Sequence, residues 1–331
     1  MRIVERDGVS WIDHPTNIEV SELYERIDNG ESVDSIKNTL SITDPNHWHT
    51  VADAIFDHSK TQDINHVGAS AQIDKINDAL APHALNVSVY GNVAEEKELI
   101  RLIDTPTPDI QAASRIVFRA VMDPRMRALQ LAGRFEKIPL FREFSYFINS
   151  ATISYYRGNV ASALLCLVPV IEGILIRWQG FPGAVQKKPD FDKTKNFVRR
   201  SIYRNPAPFG PVYFETYVKA ADSILRNHFY LYSGNASGAY DGFNRHLASH
   251  MLDNTKFYSH ENVMRTFLLL DLLSEIYHRE KRQYDPRFST QDNEYKHFET
   301  AYLKAISEKT HDDSPEKILF KHSEHIDDPF F

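Results

Sequence analysis

One cysteine in 331 residues, Cys166, is too few for an internal disulfide or a thiolate-rich zinc site. A reducing compartment, the cytoplasm, is the expected location. Long apolar runs are also scarce. The most apolar stretch, LLCLVPVIEGILIRW from Leu164 to Trp178, is shorter than a bilayer crossing needs and carries Pro169 and Glu172. It predicts a buried core helix holding Cys166, and no membrane partner. The opening residues, MRIVERDGVSWIDH, lack an apolar signal region, so export is not expected. Net positive charge is missing too: 38 Lys and Arg stand against 45 Asp and Glu, a formal charge of −7. That excludes a global basic surface for coating nucleic acid, so any RNA or DNA contact must be local.

What is present is an ordinary globular composition, 42% hydrophobic and 25% charged. The length fits two domains, or one large helical domain. Patterning predicts a mainly α fold: a small, mostly helical N-terminal domain with short β segments over residues 1–105, connecting helices over 106–139, an up-and-down helical bundle over 140–284, and a C-terminal helix with a charged tail over 285–331.

In the N-terminal part the first ten or so residues read as a strand or hairpin. Ser21 is expected to cap a helix that Asn29-Gly30 stops, and Ser32 to open a second through Leu40. A third helix is expected from His49 to Ser59, after a turn at Asp44-Pro45-Asn46. Asn86 to Tyr90 reads as a short β-rich segment, and Pro106-Thr107-Pro108 as a boundary. In the bundle, LFREFSYFINSATISYYRG reads as one long helix closed by Gly158. Asn159 caps the next helix, apolar on almost every face and expected at the bundle centre. Ser259 caps the last long helix, with an apolar stripe of Val263, Phe267, Leu270 and Leu273 or Ser274.

Two segments carry candidate chemistry. KKPDFDKTKNFVRRSIYR holds Lys187, Lys188, Lys193, Lys195, Arg199, Arg200 and Arg204 against Asp190 and Asp192. It is either a solvated face or a local phosphate-binding surface. NRHLASH, residues 244–250, places Arg245, His246 and His250 within six positions, just ahead of the last apolar helix. Histidine titrates near neutrality and can take the proton from a ribose 2′-hydroxyl or return one to the leaving oxygen. Arginine can grip the phosphorane oxygens by two parallel hydrogen bonds. The pairing therefore suits cleavage of an RNA phosphodiester without metal or cofactor. The alternative is a polar helix start in which Asn244 caps and the histidines bond nearby carbonyls.

RHLASH resembles the R-x4–6-H motif of HEPN-domain proteins, including the polar residue, His246, directly after the arginine. YYRGNVASALLCLVPVIEGIL is similar to the early helices of prokaryotic members. YSHENVMRTFLLLDLLSEIY resembles the helix after the motif in abortive-infection-type members. The likeness covers roughly residues 140 to 280, and it departs at Met251, where those members usually have glycine. It implies a four- to five-helix bundle that forms a homodimer with two motifs facing across one cleft. It also implies a metal-independent endoribonuclease used in toxin–antitoxin, antiphage or RNA-processing systems. By residue it implies Arg245 as phosphate clamp, His250 as general acid–base, His246 or Asn244 as the orienting polar group, and Glu172 as the buried acid that orients the motif. The text ELYERIDNGESVDSI resembles helix-turn-helix modules of prokaryotic antitoxin-like proteins, although its recognition helix has few basic residues.

These readings lead to one expected function, RNA cleavage in a defence or toxin setting, with an antitoxin or sensor as a further partner. Two alternatives stand beside it: a non-catalytic dimerising bundle that binds RNA or a ligand, and a DNA-binding regulator using the N-terminal helices. Glu172 is expected to pair with Arg245, with Arg177 and Lys219 as structural alternatives. His47, His49 and His58 have no matching carboxylate or cysteine set and read as surface or core histidines, not metal ligands.

Overall fold

The computed structural model describes residues 3–13, 19–89, 91–231, 243–246, 258–281 and 293–311. The chain is mainly helical, with one two-stranded antiparallel sheet among the described residues. Strands β1 (Ile3–Arg6) and β2 (Val9–Ile12) pair with Ile3 opposite Ile12 and Arg6 opposite Val9. Asp7 and Gly8 both have positive φ, the two-residue turn that matches strand twist.

Helices α1 (Val20–Asp28), α2 (Val33–Thr39) and α3 (Pro45–Gln62) enclose a small core of Leu23, Ile27, Ile36, Val51 and Ile55. Gly30, at φ 79°, stops α1, and Ser32 caps α2 by accepting from Ser35 N. Two expectations need correction. Glu19, not Ser21, is the residue before α1; the Ser21 hydroxyl instead donates to the Glu19 carboxylate. Helix α3 begins four residues before His49, because Asp44 caps it and Pro45 sits at its first position, where a missing N–H costs nothing.

Next come α4 (Val67–Leu80) and α5 (Val93–Ile103), the latter opened by a capping box between Asn92 and Glu95. The segment read as β-rich pairs with no strand among the described residues. Asn86 to Val89 are buried, and the Val87 amide donates to the Asn77 side chain. A side-chain amide has taken the place of a ladder partner.

Helices α6 (Ile110–Val121) and α7 (Pro124–Gln130), with a π-turn through Phe135, lead into the bundle. Ile73 to Ile103 on one side of Pro106-Thr107-Pro108 and Ala113 to Ala305 on the other share one continuous core. The helix expected over 140–158 is broken into α8 (Pro139–Arg142) and α9 (Ser145–Tyr156). At the break, Phe144 lies against Gly173: a Cβ there would meet the Phe144 ring at 2.8 Å. Gly158, at φ 86°, closes α9, and Asn159 caps α10 (Val160–Trp178).

Helix α10 packs on α9 and on the last long helix, and Leu164, Leu167, Ile171 and Ile174 are buried. At 19 residues it is long and apolar enough to cross a bilayer, four residues longer than the run in the sequence suggested, but half of it is buried against neighbouring helices. Cys166 is half-buried rather than deep in the core, with Sγ 3.4 Å from the Phe147 carbonyl oxygen. Short helices α11 (Phe191–Lys195) and α12 (Ser201–Arg204) precede α13 (Pro211–Ile224), which continues as a π-turn to Phe229.

The last long helix, α14 (His260–Glu280), is capped by Ser259 as expected, and the expected stripe of Val263, Phe267, Leu270, Leu273 and Ser274 is buried, but burial extends well beyond it. It is buried on every face, and it, rather than α10, is the central helix. Its buried carboxylates are paired, mostly by residues of other helices and in one case by Arg279 of α14 itself. Arg127 and Gln130 bond Asp271, Arg134 and Arg279 converge on Glu275 at 2.6 and 2.7 Å, and Arg204 meets Glu280 at 2.6 Å. Buried charges persist only when paired in this way. Burial pushes the Asp271 carboxyl up, and Arg127 opposes it. Helix α15 (Lys296–Thr310) then lies on α7 and α9, with the Tyr302 hydroxyl donating to Asn149 at 2.9 Å.

Candidate functional site around Arg245

Arg245 and Glu172 form an ion pair, with Nη1 to Oε2 at 2.9 Å. The two structural alternatives are engaged elsewhere, Arg177 with Glu143 at 3.2 Å and Lys219 with Asp74 and Asp78. Helix α10 carries Glu172 on a half-buried face, next to Gly173 and its Phe144 contact, and Asn244, bonded to Leu231 just past the π-turn after α13, sets Arg245 beside it. Glu172 is not deeply buried: its side chain is 27% exposed, and that of Arg245 is 15%.

Two rings enclose the guanidinium. Its Cζ lies 5.2 Å from the Phe191 ring centre and 5.0 Å from that of Tyr230, within cation–π range. Phe191 and Tyr230 meet edge to face at 5.4 Å, and the His246 ring lies 6.2 Å from Phe191. Burial pushes the Tyr230 hydroxyl pKa up, with the Glu172 charge adding and Arg245 opposing. That hydroxyl and Arg245 Nε are both buried without a hydrogen bond to the described residues. The arginine is thus held at one nitrogen by a carboxylate, with two mutually perpendicular rings packed beside its guanidinium.

Asn244 is buried. Its amide donates to the Leu231 carbonyl at 2.6 Å and its oxygen accepts from His246 N at 2.8 Å, so it closes the turn that presents Arg245. His250 and Met251 lie outside the described residues.

The basic segment divides in two. Lys187, Lys188 and Lys193 are exposed and line a cavity of about 320 Å³ with Gln179, Pro189 and Asp190, next to Phe191 in sequence. Arg199 and Arg200 are exposed and Lys195 is half-buried; burial raises the Asp222 pKa, and the charges of Arg226, Arg199 and Lys195 oppose that rise. Arg204 belongs to the core pairing with Glu280 and lies over the Phe197 ring at 3.7 Å. Sequence reasoning passed over Phe191. The signal available was an aromatic residue flanked by two aspartates inside a lysine-rich run.

The N-terminal histidines have local partners. His58 stacks on Tyr24 at 4.0 Å and pairs with Asp28, His49 stacks on Tyr203 at 4.0 Å, and His47 lies 3.5 Å from Asp44. Among the described residues, no three His, Cys, Asp or Glu side chains converge as a metal-binding group. Lys37, the cation on α2, lies over the Trp48 ring at 4.2 Å, and burial lowers its pKa. Comparison with protein-family models, with curated proteins and with solved structures finds no match to this chain.

Proposed function

We propose that the protein is a HEPN-type endoribonuclease that acts in the cytoplasm as a homodimer, in a prokaryotic defence or toxin setting, under the control of an antitoxin or sensor. The observation that carries this reading is the convergence of three sequence-distant parts: Arg245 of the RHLASH motif, Glu172 of the Ile-Glu-Gly helix, and Phe191 of the lysine-rich segment. A guanidinium oriented by a carboxylate is the arrangement needed to meet charge developing on a phosphorane. Exposed Lys187, Lys188 and Lys193 supply a path for the flanking phosphates. In this reading His250 takes the 2′-hydroxyl proton and returns one to the leaving 5′-oxygen, the attack forms the 2′,3′-cyclic phosphate, and His246 orients the motif. No metal is required for these steps.

A second reading is favoured by the enclosure of Arg245. With one nitrogen on Glu172 and two rings packed beside it, the guanidinium could serve only to lock the bundle, leaving a non-catalytic module that binds RNA through the lysines. Incubation of the purified protein with total RNA in chelator separates the two. Cleavage that disappears in both Arg245→Ala and His250→Ala supports the nuclease. RNA binding without cleavage by the wild type supports the second reading.

A further inference from the structure

A cavity of about 860 Å³ opens between the N-terminal helices and the bundle, far in sequence from the RHLASH motif. Its volume falls in the range of small-molecule sites. One wall is a row of rings. His66 and Tyr213 are 5.5 Å apart, and Tyr213 and Tyr217, one turn apart on α13, are nearly parallel at 6.3 Å. Phe209 completes the row and is 58% exposed.

These rings are fixed by Arg279, which also lines the cavity. The Arg279 guanidinium lies 5.7, 5.4 and 5.4 Å from the Phe209, Tyr213 and Tyr217 ring centres. Its N–H groups donate to Glu275 and to the Phe209 carbonyl. Gly210 makes this approach possible, since a Cβ there would collide with Arg279 Nη1. The positive charge is therefore spent on the core, and the wall is held in place before any ligand arrives.

The remaining charge around the cavity is negative. Asp28 pairs with His58, and Asp63 pairs with His66 at 2.5 Å while also accepting from Val212 N at the start of α13. Glu96 differs: it lines the cavity half-buried, and its carboxylate makes no hydrogen bond or ion pair with the described residues. Burial, reinforced by neighbouring Glu95, pushes its pKa up. A carboxylate left over beside a row of rings asks for a flat partner that brings its own N–H donors.

We infer that this cavity binds an amino-bearing heteroaromatic base or nucleoside without a phosphate, its ring against Tyr213 and Phe209 and its exocyclic amine donating to Glu96. A phosphate would meet the Glu96 carboxylate, which has no partner among the described residues, while Arg279 is already engaged by Glu275 and the Phe209 carbonyl, so like-charge repulsion disfavours nucleotides. This inference stands independently of the nuclease reading, since it uses none of the residues around Arg245.

The test is calorimetric titration of the full chain with adenosine, purine riboside (the same ring without the amine) and adenosine 5′-monophosphate. Adenosine is expected to bind on the order of tenfold more tightly than either, the amine and the missing phosphate each being worth about one hydrogen bond or charge contact. Glu96→Gln should remove the preference for adenosine over purine riboside. Phe209→Ala, at an exposed position, should weaken both nucleosides together while leaving the melting temperature in place. Equal binding of adenosine and its monophosphate, absence of adenosine binding, or unchanged affinities in both variants would overturn the inference.

Discussion

Glu172 and Arg245 stand 73 positions apart in the chain and meet at 2.9 Å on the flank of α10. With Arg245 Nε already lacking a hydrogen bond to the described residues, loss of Glu172 would leave a second guanidinium nitrogen without its partner. Glu172→Ala should therefore lower stability by about 1–3 kcal/mol, seen as a fall in melting temperature. If Arg245 clamps phosphate, Arg245→Ala reduces RNA cleavage roughly 10²–10³-fold, and Arg245→Lys restores little because an ammonium lacks the planar fork. Undiminished cleavage by Arg245→Ala would exclude the clamp.

The lysines make a separate prediction. Replacing Lys187, Lys188 and Lys193 together by alanine should weaken binding of single-stranded RNA without altering its sequence preference. The slope of log affinity against log salt should become shallower by about 0.7 for each phosphate no longer neutralised. Arg204→Ala, by contrast, should act on stability, since its guanidinium pairs with buried Glu280. An unchanged salt slope in the triple variant would show that RNA follows another surface.

Glu275 accepts from two arginines in the middle of the bundle, Arg134 at 2.6 Å and Arg279 at 2.7 Å. Glu275→Ala leaves both charges buried without their common acceptor, and about 3–5 kcal/mol of stability should go with it. Thermal unfolding followed by circular dichroism measures this. A decrease no larger than that of a surface glutamate variant, such as Glu98→Ala, would mean that the arginines find other acceptors.

His228 supplies a pH dependence. Burial lowers its pKa from the ordinary 6.5, the charges of Arg265 and His83 act in the same direction, and its Nε2–H donates to the Ala81 carbonyl at 3.0 Å. Because the unfolded chain binds the proton more readily, this contribution is complete above pH 6.5 and is lost as pH falls through the lowered folded value. Asp222 and Asp271 have raised pKa values and act in the opposite sense at lower pH. His228→Gln keeps a donor for Ala81, so its stability should fall less than that of the wild type between pH 7 and 5. Parallel pH profiles for the two proteins would remove His228 as the cause.

Local signals were read well where the chain itself supplies the partner. Ser32, Asn159 and Ser259 cap the helices they precede, and Gly30 and Gly158 end helices at positive φ. Misreadings came where a distant residue decides. The break at Phe144 depends on Gly173, and the buried Asn86–Val89 segment depends on Asn77. Of three cations that could meet Glu172, only the tertiary structure determines that Arg245 does.

The sequence alone determined a mainly helical chain, its caps and its turn glycines, because those follow from hydrogen bonds made within a few residues. Tertiary structure decided which helix lies at the centre. Apolar composition pointed to α10, yet α14 is the one enclosed, its carboxylates met by arginines from α7, the adjoining π-turn and α12. A charged side chain is stable inside a protein only beside its counter-charge, and no local pattern records where that partner will be.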